Sequence, residues 1–168
     1  MSWLSNDERQ AITVKMGYAD EDANETYLGL TNADFEVDPD TRYPASALDS
    51  FVSKHHQFHL NYGVQFDPSF QLNIKAYRNL FQRAWTKFDG FPSGTPPQRV
   101  LTLPNFYLNQ YRVMSGASDS SGTPFDLIDV TNNDRKFVSE GLQISGNYSH
   151  GLLGIPQQFS FGVRAHRD

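Results

Sequence analysis

The sequence predicts an all-β protein, an antiparallel up-and-down meander of about five long strands. Three observations predict it. Apolar and polar residues alternate with a period of two in five separate segments. The 168 residues include 13 Phe and 8 Tyr, side chains that suit a pleated, half-buried surface. The connections between the segments alternate between a few residues and several tens.

In the first segment Ile12, Val14, Met16 and Tyr18 oppose Thr13, Lys15, Gly17 and Ala19. The second is the clearest: His56, Phe58, Leu60, Tyr62, Val64 and Phe66 alternate without a fault with Gln57, His59, Asn61, Gly63 and Gln65. Successive strand side chains point to opposite faces, so one face is apolar and aromatic while the other is polar and small. The third segment sets Phe70, Leu72, Ile74 and Ala76 against Gln71, Asn73 and Lys75. Its phase then changes, because Tyr77, Phe81 and Trp85 fall on the parity of Asn73 and Lys75. Either a bulge or a departure from the apolar slab explains the change. In the fourth segment Leu142, Ile144, Gly146 and Tyr148 oppose Gly141, Gln143, Ser145 and Asn147. In the fifth, Phe159, Phe161, Val163 and Ala165 oppose Ser160, Gly162, Arg164 and His166.

Asp67 to Ser69 and Ser149 to Gln157 are short enough for hairpin turns. Asp20 to His55 and Phe88 to Phe137 are long loops of the kind that usually serve a function. Within them, Thr31 to Asp34 reads as the capped start of a helical turn. Asn105 to Ser115 reads as a short helix capped by Asn105 and stopped at Gly116. Ser115 to Thr123, rich in Ser and Gly, reads as a flexible loop.

Several function classes are excluded or unsupported. With no Cys there is no disulfide, thiolate nucleophile or cysteine-ligated metal. A net charge of −5 without a basic run leaves no electrostatic footprint for nucleic acid. The N-terminal residues carry no apolar core of a signal peptide. His55 and His59 stand about 13 Å apart along a strand, and His56 points to the opposite face, so they share no metal. His150 reads as a turn residue and His166 as lumen-facing. The acidic residues from Asp20 to Asp49 match no calcium loop, and no Ser, His and acid arrangement offers an activated nucleophile. The chain is not read as an enzyme, and no cofactor is expected.

Alternation alone fits a water-soluble sheet with its apolar face in a core. Three details favour a bilayer instead. The polar positions are rich in Gln, Asn, Ser and Gly rather than Glu and Lys. Tyr18, Tyr62 and Tyr148 fall toward the ends of the apolar stripes, where an aromatic girdle sits. Short turns at one end and long loops at the other are the build of outer-membrane barrels. On that reading Ile12, Val14, Met16, Phe58, Leu60, Tyr62, Val64, Leu72, Ile74, Leu142, Ile144, Phe159, Phe161 and Val163 face lipid. Arg78, Arg83, Lys87 and Arg112 are cations placed to attract an anionic ligand at the barrel mouth, and Arg78, Arg83 and Arg112 are the candidate ligand-binding residues.

Asn24 to Phe35, Ala76 to Asn79 with Trp85 to Asp89, and Asn132 to Arg135 leading to Glu140 to Gln143 carry a resemblance. In order and spacing they are similar to the barrel of TonB-dependent outer-membrane receptors, particularly the ferric-citrate-like siderophore branch. The likeness runs from about Gln10 to Asp168. It implies an open segment of a plugged transmembrane barrel of about 22 strands, with Asp20 to His55 and Phe88 to Phe137 as extracellular loops. Residues 1–168 then form a single partial barrel domain without plug or signal peptide. The implied partners are outer-membrane lipid and a ferric chelate or other scarce nutrient, with the TonB system engaged only through the missing plug. The implied location is the bacterial outer membrane. The rival expectation is a soluble, lipocalin-like small-ligand barrel, which needs about eight strands around an apolar interior.

Overall fold

A computed structural model describes residues 1–168. The strands are β1 (Ser2–Leu4), β2 (Gln10–Ala23), β3 (Ser50–Asp67), β4 (Phe70–Gly90), β5 (Asp129–Leu152) and β6 (Ile155–Arg167). They form one six-stranded sheet in the order β1-β2-β3-β4-β5-β6. The fold is therefore an all-β antiparallel meander, with five long strands and a short sixth, β1, that the period-two pattern did not mark. Three short helices, α1 (Asn32–Val37), α2 (Pro97–Thr102) and α3 (Leu108–Met114), and a 3₁₀ turn at Pro44–Ser46 lie in the long connections.

The strands extend well past the alternating segments. At about 3.3 Å per residue, an 18-residue strand such as β3 reaches roughly 60 Å, well beyond the tilted nine to eleven residues that cross a bilayer. The chain divides into two compact units. One holds Met1–Asp20, Lys54–Gln82 and Lys136–Asp168; the other holds Glu21–Ser53 and Arg83–Arg135.

The first unit is a sheet with both faces uncovered. On β5 and β6 the register pairs Leu142 with Ala165, Ile144 with Val163, Gly146 with Phe161 and Tyr148 with Phe159, so these residues share one face. Gln143, Ser145 and Asn147 pair with Arg164, Gly162 and Ser160 on the other. On β3 and β4, ring contacts join Phe66 to Phe70, His59 to Tyr77 and His55 to Phe81. Each step takes equal numbers of residues along both strands, so no residue is inserted. β4 is unbroken from Phe70 to Gly90. There is no bulge: the strand keeps its pleat, and the aromatics after Ala76 project from the face of Asn73 and Lys75.

Three tight connections end this unit's hairpins: Ser5 to Arg9, Pro68-Ser69 and Leu153-Gly154. Asp67 stabilises the second, its Oδ1 accepting from the amides of Ser69 and Phe70 at 2.7 and 3.0 Å. The third is tighter than Ser149 to Gln157, because β5 and β6 pair down to Leu152 and Ile155. His150 is accordingly a strand residue, paired with Gln157, and not a turn residue. Leu153 at φ 57° and Gly154 at φ 78° are both left-handed, the requirement of a type I′ turn matched to strand twist.

The second unit holds the buried core: Tyr43, Ala45, Phe88, Phe91, Val100 and Met114, with Leu28, Leu30, Leu101, Tyr107, Tyr111 and Ile128 packed against it. The long connections are thus folded structure. Thr31 caps α1 as expected, accepting from the Asp34 amide at 3.1 Å. α3 begins later than its sequence suggests, with Tyr107 in the cap position and no side-chain cap. Asn105 lies outside it, and the preceding turn is held by the Phe106 and Tyr107 amides donating to the Leu103 carbonyl. Ser115 to Thr123 is organised around Asp126, whose carboxylate accepts from the Ser121 and Thr123 amides at 2.9 and 3.2 Å. Those amides and the neighbouring hydroxyls hold the Asp126 carboxyl down at about 2.

Candidate functional site

In the first unit, the polar face carries a cluster centred on Tyr77 of β4. The Arg164 guanidinium donates to Tyr77 Oη at 2.7 Å and lies 5.7 Å from its ring centroid. His166 Nδ1 stands 2.6 Å from the same oxygen, and its Nε2 is 2.9 Å from the Asp168 carboxylate. The His59 imidazole stacks on Tyr77 at 6.2 Å. Gly141 makes the cluster possible, since a Cβ there would come within 2.5 Å of Tyr77 Oη. Farther along β4, Phe81 meets His55 edge-on at 5.8 Å and stacks on Phe137 at 6.1 Å. Aromatic faces beside imidazoles and a guanidinium suit planar, anionic ligands.

In the second unit, Trp85 is the centre. Tyr27 lies 4.5 Å and Phe51 5.8 Å from its ring, and Arg83 stacks over it at 5.6 Å. Arg83 and Trp85 are two residues apart on β4, which puts both on one face. Trp85 Nε1 is a buried donor with no partner. Lys87 is engaged by Asp89 at 2.7 Å.

Two carboxylates hold the loops of this unit together. Asp34 Oδ2 accepts from Thr31 and Tyr111 at 2.7 Å each, and from Tyr43 Oη. Tyr43, Thr31 and Tyr111, in that order, keep the Asp34 carboxyl below its ordinary value. The hydrogen bond to Asp34, aided by burial, pushes the Tyr111 phenol up to about 12. Asp49, 2% exposed, accepts from the Phe88 amide and Thr26 Oγ1, each at 2.6 Å. Arg42 closes the first loop by donating to the Asn24 carbonyl and Ser46 Oγ, each at 2.9 Å.

The three candidate arginines do not converge. Arg78 belongs to the first unit and shares the parity of Leu72 and Ile74, the apolar face, where it pairs with Glu140 at 3.4 Å. Arg83 stands with Trp85 on the opposite parity. Arg112 is an exposed residue in the last turn of α3, where a cation complements the helix dipole. Sequence reasoning passed over Tyr77, Arg164 and His166 as a group. The signal was present in the parity of Tyr77, Phe81 and Trp85, but their partners lie on strands remote in sequence. No group of three or more His, Asp or Glu stands close enough to hold a metal ion. No helix is long and apolar enough to cross a membrane, which says nothing about strands. No protein-family model matches the chain, and no curated protein matches it either.

Proposed function

We propose that this chain forms part of the transmembrane barrel of a TonB-dependent outer-membrane receptor that takes up a ferric chelate, such as a siderophore or ferric citrate, or another scarce nutrient. The observation that carries this reading is the uncovered apolar face of the first unit. Met16 is 73% exposed, Phe58 39%, Leu142 46%, Phe159 63% and Val163 66%, although they share one side of a regular sheet. A contiguous apolar face of that extent is a membrane or protein contact, not a water surface. Val64, at 8%, is the one buried apolar side chain of the face, a small residue flanked along β3 by Tyr62 and Phe66.

The connections support the same reading: tight turns at one end of the strands and long, folded loops at the other. The sheet does not close, since β1 and β6 are not paired with each other. Lipid does not tolerate unpaired strand edges, so further strands complete a barrel in this proposal, of about 22 strands by the family resemblance. A lipocalin-like barrel finds no support in six unclosed strands whose apolar side has nothing packed over it.

In this reading Arg164 with Tyr77 in the first unit, and separately Arg83 with Trp85 in the second, are the cation and aromatic pairs suited to meet an anionic chelate. Arg112 stands on a loop that ligand meets first, and Arg78 is reassigned to the lipid side. The test is uptake of radioiron as ferric citrate by cells that carry the receptor, with and without a functional TonB system. TonB-dependent uptake that falls in Arg83→Ala supports the proposal. Absence of binding or uptake of any ferric chelate contradicts the iron reading, and an unchanged affinity in Arg83→Ala removes that residue from the chelate's contacts.

A further inference from the structure

On the apolar side of the first unit, one charged feature is unexplained by ligand uptake. Phe81 touches both His55 and Phe137 on the polar side, so the next positions, Lys54, Gln82 and Lys136, stand abreast on β3, β4 and β5 on the other. With His56 and Leu80 they line a groove of about 190 Å³. Both lysines and His56 are exposed. The ion pairs of the molecule use Arg78, Lys87 and His166, and neither lysine belongs to one. Asp20 on β2 and Asp134 on β5 share this parity and are in none of those pairs. Neither ammonium is held in an ion pair, which leaves both able to meet an anion.

Its position suggests the occupant. Two residues farther along β3 from His56 the face turns apolar, with Phe58 and then Leu60. Tyr18 packs against His56 at 4.9 Å, an aromatic where the apolar stripe ends. Lysines beyond such a boundary extend their ammonium groups to the headgroup level, where they attract phosphate. The groove also lies on three central strands, so every side chain that shapes it is already in place. We propose that Lys54 and Lys136, with His56 beside them, bind the phosphate of an anionic lipid headgroup. The proposal rests on the reading that the adjoining apolar face meets lipid.

The test compares three full-length chains on vesicles of phosphatidylcholine alone and of phosphatidylcholine mixed with phosphatidylglycerol. They are the wild type, Lys54→Gln/Lys136→Gln, and a charge-matched control, Lys15→Gln/Lys75→Gln, altered on the polar face. All three should bind neutral vesicles alike. Wild type and control should gain at least about tenfold in affinity from the anionic lipid at low salt, and the Lys54/Lys136 variant should lose that gain. An equal gain in all three, or an equal loss in the control, overturns the site. Loss of the gain when inorganic phosphate replaces chloride at equal ionic strength assigns the groove to free phosphate and overturns the lipid assignment. If no chain associates with neutral vesicles, the lipid-facing reading itself fails, and this inference with it.

Discussion

Leu60 sits in the middle of the alternating run of β3, flanked by Phe58 and Tyr62 on the same face. If that face meets hydrocarbon, Leu60→Arg carries a charge into the bilayer and costs about 2–4 kcal/mol near the midplane. Reversible unfolding of the barrel in lipid vesicles measures it, and a cost near zero places Leu60 away from lipid. Asp34 makes a different kind of prediction. Its carboxyl is held below the ordinary value of 3.8 by hydroxyl donors, so its ionised form stabilises the folded loops above that pH. The contribution is lost as pH falls below it toward the depressed folded value. Asp34→Asn should cost about 1.5–3 kcal/mol at neutral pH, the range for hydrogen bonds to a charged group, and should flatten the acid limb of stability. A variant that matches wild type at neutral pH yet keeps the full acid limb contradicts the role given to Asp34. The capping function of Thr31 was legible in the sequence because a cap acts over three residues. The hold of Tyr43 and Tyr111 on the same carboxylate was not, since Tyr111 lies 77 positions from Asp34.

Among elements, the strands were the most legible and their ends the least. Period-two alternation marks β2 to β6 only where one face is apolar and the other polar. β3 and β4 continue past that region with aromatics on the opposite parity, and the pattern there reads as a fault although the backbone is regular. β1, with three residues, is too short to show a period. The β5–β6 hairpin shows the converse: Leu153-Gly154 lacks the Asn-Gly signature, so the sequence predicted a wider connection than the type I′ turn that forms. Leu153 is 93% exposed at positive φ, a conformation that a branched apolar side chain disfavours. Leu153→Asn should therefore stabilise the hairpin by about 0.5–1 kcal/mol, read as a raised unfolding midpoint with an unchanged denaturant slope. Gly141→Ala should act oppositely. Its Cβ displaces Tyr77 and costs about 1–3 kcal/mol, and a neutral effect means that the Tyr77 cluster is not held as described.

For the whole molecule, one physical claim connects these scales: a regular sheet whose apolar side has no protein cover needs another apolar phase, which in the proposed function is hydrocarbon. The fold class was readable because alternation is local. The candidate site was readable only in part. Charge alone marks Arg78 and Arg83 in the sequence, but the pairing of Arg78 with Glu140, the stacking of Arg83 on Trp85 and the meeting of Arg164 and His166 at Tyr77 are set by the folded chain. The absence of native Cys makes the decisive measurement clean. Single Cys residues at each position from His56 to Phe66, labelled with an environment-sensitive fluorophore, are challenged with brominated lipid and with aqueous iodide after insertion into vesicles. The prediction is an alternation with period two beyond the headgroup-level position 56: positions 58, 60, 62, 64 and 66 quenched by the lipid, and 57, 59, 61, 63 and 65 by iodide. Quenching by iodide at both parities, or protection of Phe58, Leu60 and Val64 from both quenchers, would contradict a lipid-facing sheet.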